Sequence, residues 1–183
     1  MNHIPKEPSR QQAKADRRLY KRLVIAFHDV VELQGCAVEL TSRLAGGSAD
    51  DPQAIVRKAL TTSLIVGYGR LFAENDDAPD VARRLPTSVI AHLSEPLRQV
   101  HERVMERRNT EFAHSDPQPS SVTVRVNLGP FGQPFPIPES AIVRSPLNPS
   151  ELHAVRDILE AAYAFIYDEM ERIRKHLKPG ELF

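Results

Sequence analysis

The sequence predicts an all-α fold, a bundle of four to five helices that carries a small extended or β-hairpin insertion. Three observations support this prediction. Apolar residues recur at intervals of three and four along several long stretches, which is the spacing of one helix face. Ser, Asn, Asp and Pro stand where such stretches begin, as is typical of helix starts. Eight of the 15 prolines lie between positions 117 and 149, so one segment interrupts the helical body.

The first two helices are predicted from their apolar stripes. The first spans residues 15–44, after a flexible N-terminal tail at 1–14, and its stripe comprises Leu19, Leu23, Ala26, Val30, Leu33, Ala37 and Leu40. The second follows Asp51 and Pro52, which form an N-cap with a proline in the first turn, and runs to about residue 74. Its stripe comprises Ile55, Val56, Leu60, Leu64, Leu71 and Phe72.

Two glycines, Gly67 and Gly69, stand inside the second helix, where glycine costs stability relative to alanine. A close approach of another helix accounts for both, because a side chain at these positions would then have no room. We therefore interpret them as packing residues. The alternative is a binding role for their neighbours Tyr68 and Arg70.

A third helical region begins at Pro86, and Ser94 is the expected N-cap of its longer half. Its inward stripe comprises Leu93, Leu97, Val100 and Val104. The next step along that face reaches Arg107 or Arg108, so charge falls where the core face should continue. Pro117 ends the helix, because the residue before a proline avoids helical dihedral angles.

Residues 117–147 are the predicted insertion. Three valines, Val122, Val124 and Val126, alternate there with polar residues, which favours one short strand paired with residues 141–143. The last helix then begins with Asn148 as a cap and Glu151 reaching back to it. Its stripe follows helical spacing throughout 152–177 and comprises Leu152, Val155, Leu159, Ala162, Ile166, Met170, Ile173 and Leu177.

The composition of the chain limits its organisation and its chemistry. At 183 residues it fits one domain, which we assign to residues 15–183. Lys and Arg total 24 against 24 Asp and Glu, so any RNA contact must come from a local patch. The single cysteine, Cys36, excludes an intramolecular disulfide and a zinc site built on thiolates. We expect a cytoplasmic protein without a membrane span, a metal or a cofactor.

The segment at 107–116 reads R-R-N-T-E-F-A-H-S-D, and in it Arg108 precedes His114 with five residues between them. This segment resembles the signature of the HEPN superfamily (higher eukaryotes and prokaryotes nucleotide-binding domains). In that family an Arg, often followed by a polar residue such as Asn109, precedes a His by four to six intervening residues near a helix end. The string R-N-x-x-F-A-H-S is especially similar to the abortive-infection and toxin-like branches.

Spacing alone is a weak criterion for this resemblance. Arg107 and His114 also satisfy it, as do Arg22 and His28, and random placement predicts about two matches in a chain of this composition. The Arg22 pair lacks the polar residue, the Phe-Ala-His-Ser string and the position at a helix end. The assignment therefore depends on the whole context of the 107–116 segment.

The resemblance implies a helical bundle, frequently dimeric, and in active members RNA cleavage without a metal ion. His114 would serve as acid or base, Arg108 would hold the phosphate, and Asn109 would orient one of these groups. Arg107 and Ser115 would be further substrate contacts. The products would carry 2′,3′-cyclic phosphate ends. The implied partners are single-stranded RNA, a second copy of the chain, and an antitoxin or a nucleotidyltransferase.

Two alternatives stand beside this interpretation. In the structural one, Arg108 is partly buried and pairs with a carboxylate such as Glu111, while His114 caps carbonyl groups at the helix end. In the functional one, the chain is a non-catalytic module that binds a protein partner or a nucleotide. A shared fold does not by itself imply a shared activity.

Overall fold

The computed structural model of the chain describes residues 9–44, 53–74, 80–113, 120–128, 134–142 and 147–176. Within these ranges the α-helices are α1 (Arg10–Arg43), α2 (Gln53–Phe72), α3 (Ser88–Ala91), α4 (Glu95–Arg107) and α5 (Pro149–Arg174). A π-helical turn, Arg108–Ala113, continues α4. Two antiparallel strands, β1 (Ser120–Leu128) and β2 (Pro134–Ile142), follow it before α5. The predicted all-α helical bundle is confirmed.

Helix α1 begins at Arg10, so residues 10–14, which were expected in the tail, are helical. The N-cap is Ser9, whose hydroxyl oxygen accepts a hydrogen bond from the Gln12 backbone N–H at 3.2 Å. The Gln12 side chain also donates to Asp16 Oδ1 at 2.9 Å. The sequence prediction missed this start because it followed apolar spacing, which begins later than the cap. The first eight residues lie outside the described part of the chain.

Helices α1, α2 and α5 pack lengthwise, with α1 in contact with both of the others. Arg172 on α5 lies 3.5 Å from Asp16 on α1, while the rings of Tyr163 and Phe27 are 5.3 Å apart. Since the residue number falls along α5 as it rises along α1, these two helices are antiparallel. The predicted stripe of α1 is buried from Leu23 to Leu40. The residues of this stripe pack against α5. The buried residues of α5 include Leu152, Val155, Leu159, Ala162, Ile166 and Ile173.

The predicted stripe of α2 is wrong in its first turns. Ile55 is 79% exposed, whereas the buried residues of this helix are Thr61, Leu64, Ile65, Gly67, Tyr68, Gly69 and Leu71. At 100° per residue, Ile55 lies on the side of α2 opposite to that buried face. The helix is apolar on several sides, so spacing alone did not show which side faces α1.

The third helical region differs from its prediction at both ends of α4. Ser94 has the extended backbone of an N-cap but makes no side-chain capping bond. Pro96 occupies the second helical position and has no N–H, which removes one of the two donors that a capping hydroxyl can reach. At the other end, the α-helix stops at Arg107 and continues as the π-helical turn. Pro117, the predicted terminator, lies outside the described residues.

Helix α5 has the predicted capping box. The Asn148 side chain accepts from the Glu151 N–H at 2.9 Å, and Glu151 Oε2 accepts from the Asn148 N–H at 3.1 Å. The helix ends at Arg174, and Leu177, the last member of the predicted stripe, lies outside the described residues. The valines Val122, Val124 and Val126 lie in β1 and pair with Ser140, Pro138 and Pro136 of β2, so the predicted pairing with residues 141–143 is wrong in register.

None of the helices in the described ranges is both long enough and apolar enough to cross a membrane. The bundle instead alternates buried and exposed positions along each long helix. The packing of the helices also determines where the candidate site lies. Helix α4 and its π-helical turn pack on α2, so the first residues of the 107–116 segment meet the C-terminal half of that helix.

Candidate functional site

Arg108 lies across helix α2 at Gly69. A β-carbon added at Gly69 would stand 2.6 Å from Arg108 Cγ and 2.9 Å from both Cδ and Nε. The aliphatic stem of the arginine therefore occupies the space that any other residue at position 69 would fill. Gly67 plays the corresponding part toward α1, because its β-carbon would meet Leu33 Cδ2 at 2.6 Å. The interpretation of both glycines as packing residues is confirmed.

The guanidinium of Arg108 is held by the next residue in the chain. Its Nη1 donates to Asn109 Oδ1 at 3.0 Å, and the Asn109 side chain is exposed. This partner is a neutral amide, so the bond orients the guanidinium without cancelling its charge. The alternative pairing with Glu111 concerns a side chain outside the described part of the structure.

Arg108 and Asn109 both belong to the π-helical turn Arg108–Ala113. Such turns use i→i+5 hydrogen bonds, are rare, and occur frequently at functional sites. At its start the Thr110 hydroxyl donates to the Glu106 carbonyl at 3.0 Å, a side-chain bond to the preceding turn. The wider turn changes the angular position of every residue that follows, so simple helical spacing does not apply beyond Arg108.

The structure brings together two of the three predicted catalytic residues, Arg108 and Asn109. The third, His114, and the predicted substrate contact Ser115 lie outside the described residues. Arg107, the other predicted substrate contact, points elsewhere. Its side chain is 15% exposed, with Nη1 at 3.8 Å from Oε2 of Glu151 in the capping box of α5. Successive helical residues point about 100° apart, which separates Arg107 from its neighbour.

Arg22 and His28 also match the Arg-to-His spacing, but Arg22 has a structural role. This residue is 1% exposed, and its Nη2 donates to the carbonyls of Arg70 at 3.1 Å and Leu71 at 2.7 Å. It thus caps the C-terminal end of α2. Burial lowers the pKa of the Arg22 guanidinium, while the charge of Asp29 acts in the opposite direction. His28 is exposed on α1.

A polar pair that the sequence did not predict lies next to Gly69. The Tyr68 hydroxyl is 2.8 Å from Nδ1 of His101, and Tyr68 is fully buried. The His101 ring also stands edge-on to Phe72, with centroids 5.0 Å apart. Burial raises the pKa of Tyr68 above its ordinary value. It lowers the pKa of His101, and the charge of Glu102 opposes that shift.

Tyr68 and Arg70, for which a binding role was the alternative, both contact other residues of the protein. Tyr68 bonds to His101, while Nη2 of the exposed Arg70 lies 3.2 Å from Oδ1 of Asp29, whose side chain is 17% exposed. In the sequence, the only indication of the contact between Tyr68 and His101 was that the tyrosine stands between two glycines. In the described ranges, no three side chains of His, Cys, Asp or Glu lie together as metal ligands would.

Comparison with known proteins gives no relative for this chain: no family model, no curated protein and no solved structure matches it.

Proposed function

We propose that this chain is a HEPN-like endoribonuclease of a toxin or abortive-infection type system, with Arg108, Asn109 and His114 as its site. The observation that carries the proposal is the position of Arg108. Its stem lies over Gly69, and its guanidinium is oriented by a neutral amide. A positioned guanidinium of this kind offers paired donors and a permanent charge to a phosphate. The reaction class follows from the resemblance of the 107–116 segment.

The chemistry needs no metal ion if protons and charge are handled by side chains. The 2′-OH of the RNA loses its proton to a base and attacks the adjacent phosphorus. The bond from phosphorus to the 5′-oxygen breaks, and that oxygen receives a proton from an acid. His114 would supply one of these two proton transfers, while Arg108 would stabilise charge on the phosphate. The products are a 2′,3′-cyclic phosphate and a free 5′-OH.

A homodimer meets the need for two proton-transfer groups, because one chain contributes one motif histidine. In a two-fold dimer the same surface of each protomer meets its copy, so two motifs can share one RNA-binding site. Asn109 is exposed at this surface, which supports its access to a partner or to RNA. We therefore include a dimer through the motif end of α4 in the proposal.

The test is a cleavage assay on purified protein with single-stranded RNA in EDTA. We expect His114→Ala to lower the rate by about 10²- to 10⁴-fold, the usual loss for one positioned acid or base. Arg108→Gln should cost about 10²- to 10³-fold, as for loss of a transition-state donor. Asn109→Ala should show a smaller loss. The controls are His153→Ala and Arg156→Ala, which change exposed residues of α5.

Each outcome either supports the proposal or contradicts it. Cleavage by the wild type and both controls, with loss in the motif variants, supports the proposal. Equal cleavage in the His114→Ala protein would assign the activity to another site or to a contaminant. If the wild type cuts no RNA, the proposed activity is wrong, and a non-catalytic module that binds a protein partner or a nucleotide becomes the better account.

A further inference from the structure

A cleft of about 420 Å³ opens beside the Tyr68–His101 pair, between the end of α2, the segment before α3, and α4. Its size is within the range of small-molecule sites in proteins. The lining residues that matter here are Phe72, Arg84, Pro86, Thr87, Ile90 and His101. None of these residues belongs to the 107–116 segment, so the cleft is separate from the site described above.

One wall of the cleft contains His101, whose Nδ1 lies 2.8 Å from the Tyr68 hydroxyl. The buried Tyr68 hydroxyl needs an acceptor for its proton, and we infer that His101 Nδ1 is that acceptor. A neutral imidazole that accepts at Nδ1 carries its proton on Nε2. Burial favours the neutral form of His101 and thereby lowers its pKa. His101 therefore presents one N–H donor beyond its bond to Tyr68.

The other walls combine flat apolar surface with a cation. The half-buried rings of Phe72 and His101 stand edge-on to each other, with centroids 5.0 Å apart. Pro86 and Ile90 add aliphatic surface, and Arg84 is exposed. An unstacked nucleobase needs such surroundings, because it gains from contact with aromatic rings and from hydrogen bonds to its edges. An arginine alongside suits the phosphate of the same strand.

The cleft also lies in reach of Arg108. His101 and Arg108 are separated by two helical turns, or about 10 Å along the axis at 1.5 Å per residue. Both contact α2 at adjacent positions, Tyr68 and Gly69. A strand whose phosphate is held at Arg108 can thus extend along α4 and bring a neighbouring base to the cleft.

We propose that this cleft binds one unstacked base of single-stranded RNA, next to the phosphate held by Arg108. The inference rests on the proposed function for that phosphate, and it adds a determinant of base preference. Phe72 and His101 contact the base, the N–H of His101 selects an acceptor on its edge, and Arg84 contacts the backbone. These residues bind substrate and take no part in the proton transfers.

The test fills the cleft without changing its buried walls. Ala91 is an exposed cleft residue at the end of α3, and Ala91→Trp places a large ring there. Ala161→Trp, at an exposed position of α5, is the matched control. Arg84→Gln is a second variant at an exposed position, in case the first does not fold. Thermal unfolding of each protein establishes that it is folded.

Binding is measured by fluorescence anisotropy with 2′-O-methyl hexanucleotides of A, C, G and U, which cannot be cleaved through the 2′-oxygen. We expect the wild type to distinguish among the four. Ala91→Trp should weaken the best binding by roughly tenfold, within the range for loss of one stacked base, and remove the preference. Arg84→Gln should weaken all four alike. Ala161→Trp should match the wild type.

The same proteins are then tested on cleavable RNA, with cut positions mapped. We expect Ala91→Trp to cut with less base preference than the wild type. Unchanged binding and unchanged cut positions in that variant would overturn the inference while leaving the proposed ribonuclease intact. Binding that depends on the cleft, without cleavage by the wild type, would refute the ribonuclease and keep the cleft. A wild type that binds none of the four would refute the cleft.

Discussion

The stem of Arg108 occupies the space above Gly69, where a β-carbon would come within 2.6 Å of the arginine Cγ. Glycine in the last turn of α2 thus leaves room for an arginine from another element. The relationship separates stability from function in a testable way. The atoms that would clash belong to a flexible side chain, so a substitution at Gly69 can move the arginine without unfolding the helix.

The first prediction is that Gly69→Ala keeps the fold and lowers RNA cleavage. Alanine favours the helix by about 1 kcal/mol over glycine, which offsets the cost of displacing Arg108. The expected result is an unfolding free energy close to that of the wild type and a cleavage rate near that of Arg108→Gln. Urea unfolding and the EDTA assay measure the two quantities.

Two other glycines serve as controls for that substitution. Gly35 has no heavy atom within 4 Å of an added β-carbon, so Gly35→Ala should stabilise the protein by about 0.5–1 kcal/mol without loss of cleavage. Gly67→Ala would meet the buried Leu33 side chain and should cost about 1–3 kcal/mol through overpacking. Full activity in Gly69→Ala would show that the position of Arg108 is not needed.

A second prediction concerns Arg22, which caps α2 from inside the core. Arg22→Met keeps much of the stem but leaves the buried carbonyl of Leu71 without its donor. We expect a loss of about 1–3 kcal/mol in the free energy of unfolding, the usual cost of an unsatisfied buried polar group. The exposed Arg156→Ala should change it by less than about 0.5 kcal/mol. Equal urea midpoints for the two variants would show that the cap contributes little.

The third prediction is a dependence of stability on pH through His101. Its pKa in the folded protein is below the ordinary value of 6.5, mainly because the ring is buried. The unfolded chain therefore takes up a proton first as the pH falls through that ordinary value. The contribution of His101 to the free energy of unfolding is complete above about pH 7 and declines toward lower pH.

The measurement is the urea midpoint between pH 7.5 and 5.0 for the wild type and for His101→Gln. Every other ionisable group is common to the two proteins, so the difference between the two curves isolates His101. The wild type should lose stability more steeply on acidification. Parallel curves would mean that His101 titrates alike in the folded and unfolded states.

The fourth prediction is a homodimer at micromolar concentration, joined near the motif end of α4. Sedimentation velocity should give about twice the mass of one chain. Adding an excess of His114→Ala protein to the wild type should lower cleavage by more than dilution alone, because a mixed dimer has only one of the two motif histidines. A strict monomer, or a dimer with the two His114 residues on opposite outer surfaces, would contradict the shared site.

Local signals in the sequence predicted much of the bundle. The cap at Asn148 and the stripe that follows it fix the start and the buried face of α5, because both depend on residues within a few turns. The close approach at Gly67 and Gly69 was also predictable, although the residues that approach were not. Their identity depends on how α1 and α4 pack on α2.

What the sequence did not predict depends on contacts between distant residues. Tyr68 and His101 are 33 positions apart, and neither has a local pattern that points to the other. The exposure of Ile55 follows from which side of an evenly apolar helix packs on α1. The π-helical turn at Arg108 changes the helical register that spacing arguments assume. The side chain of Arg107, which precedes this turn, lies toward Glu151 instead of beside Arg108 because successive helical residues point about 100° apart.

The measurement that tests the central claim most directly is the chemistry of the product ends. A single-stranded RNA is incubated with the wild-type protein in EDTA, beside the same strand with one 2′-deoxy nucleotide at the main cut position. Attack by the 2′-oxygen predicts 2′,3′-cyclic phosphate ends on the normal strand and no cut at the deoxy position. Cutting at the deoxy position, or ends with a 3′-OH, would contradict the proposed mechanism.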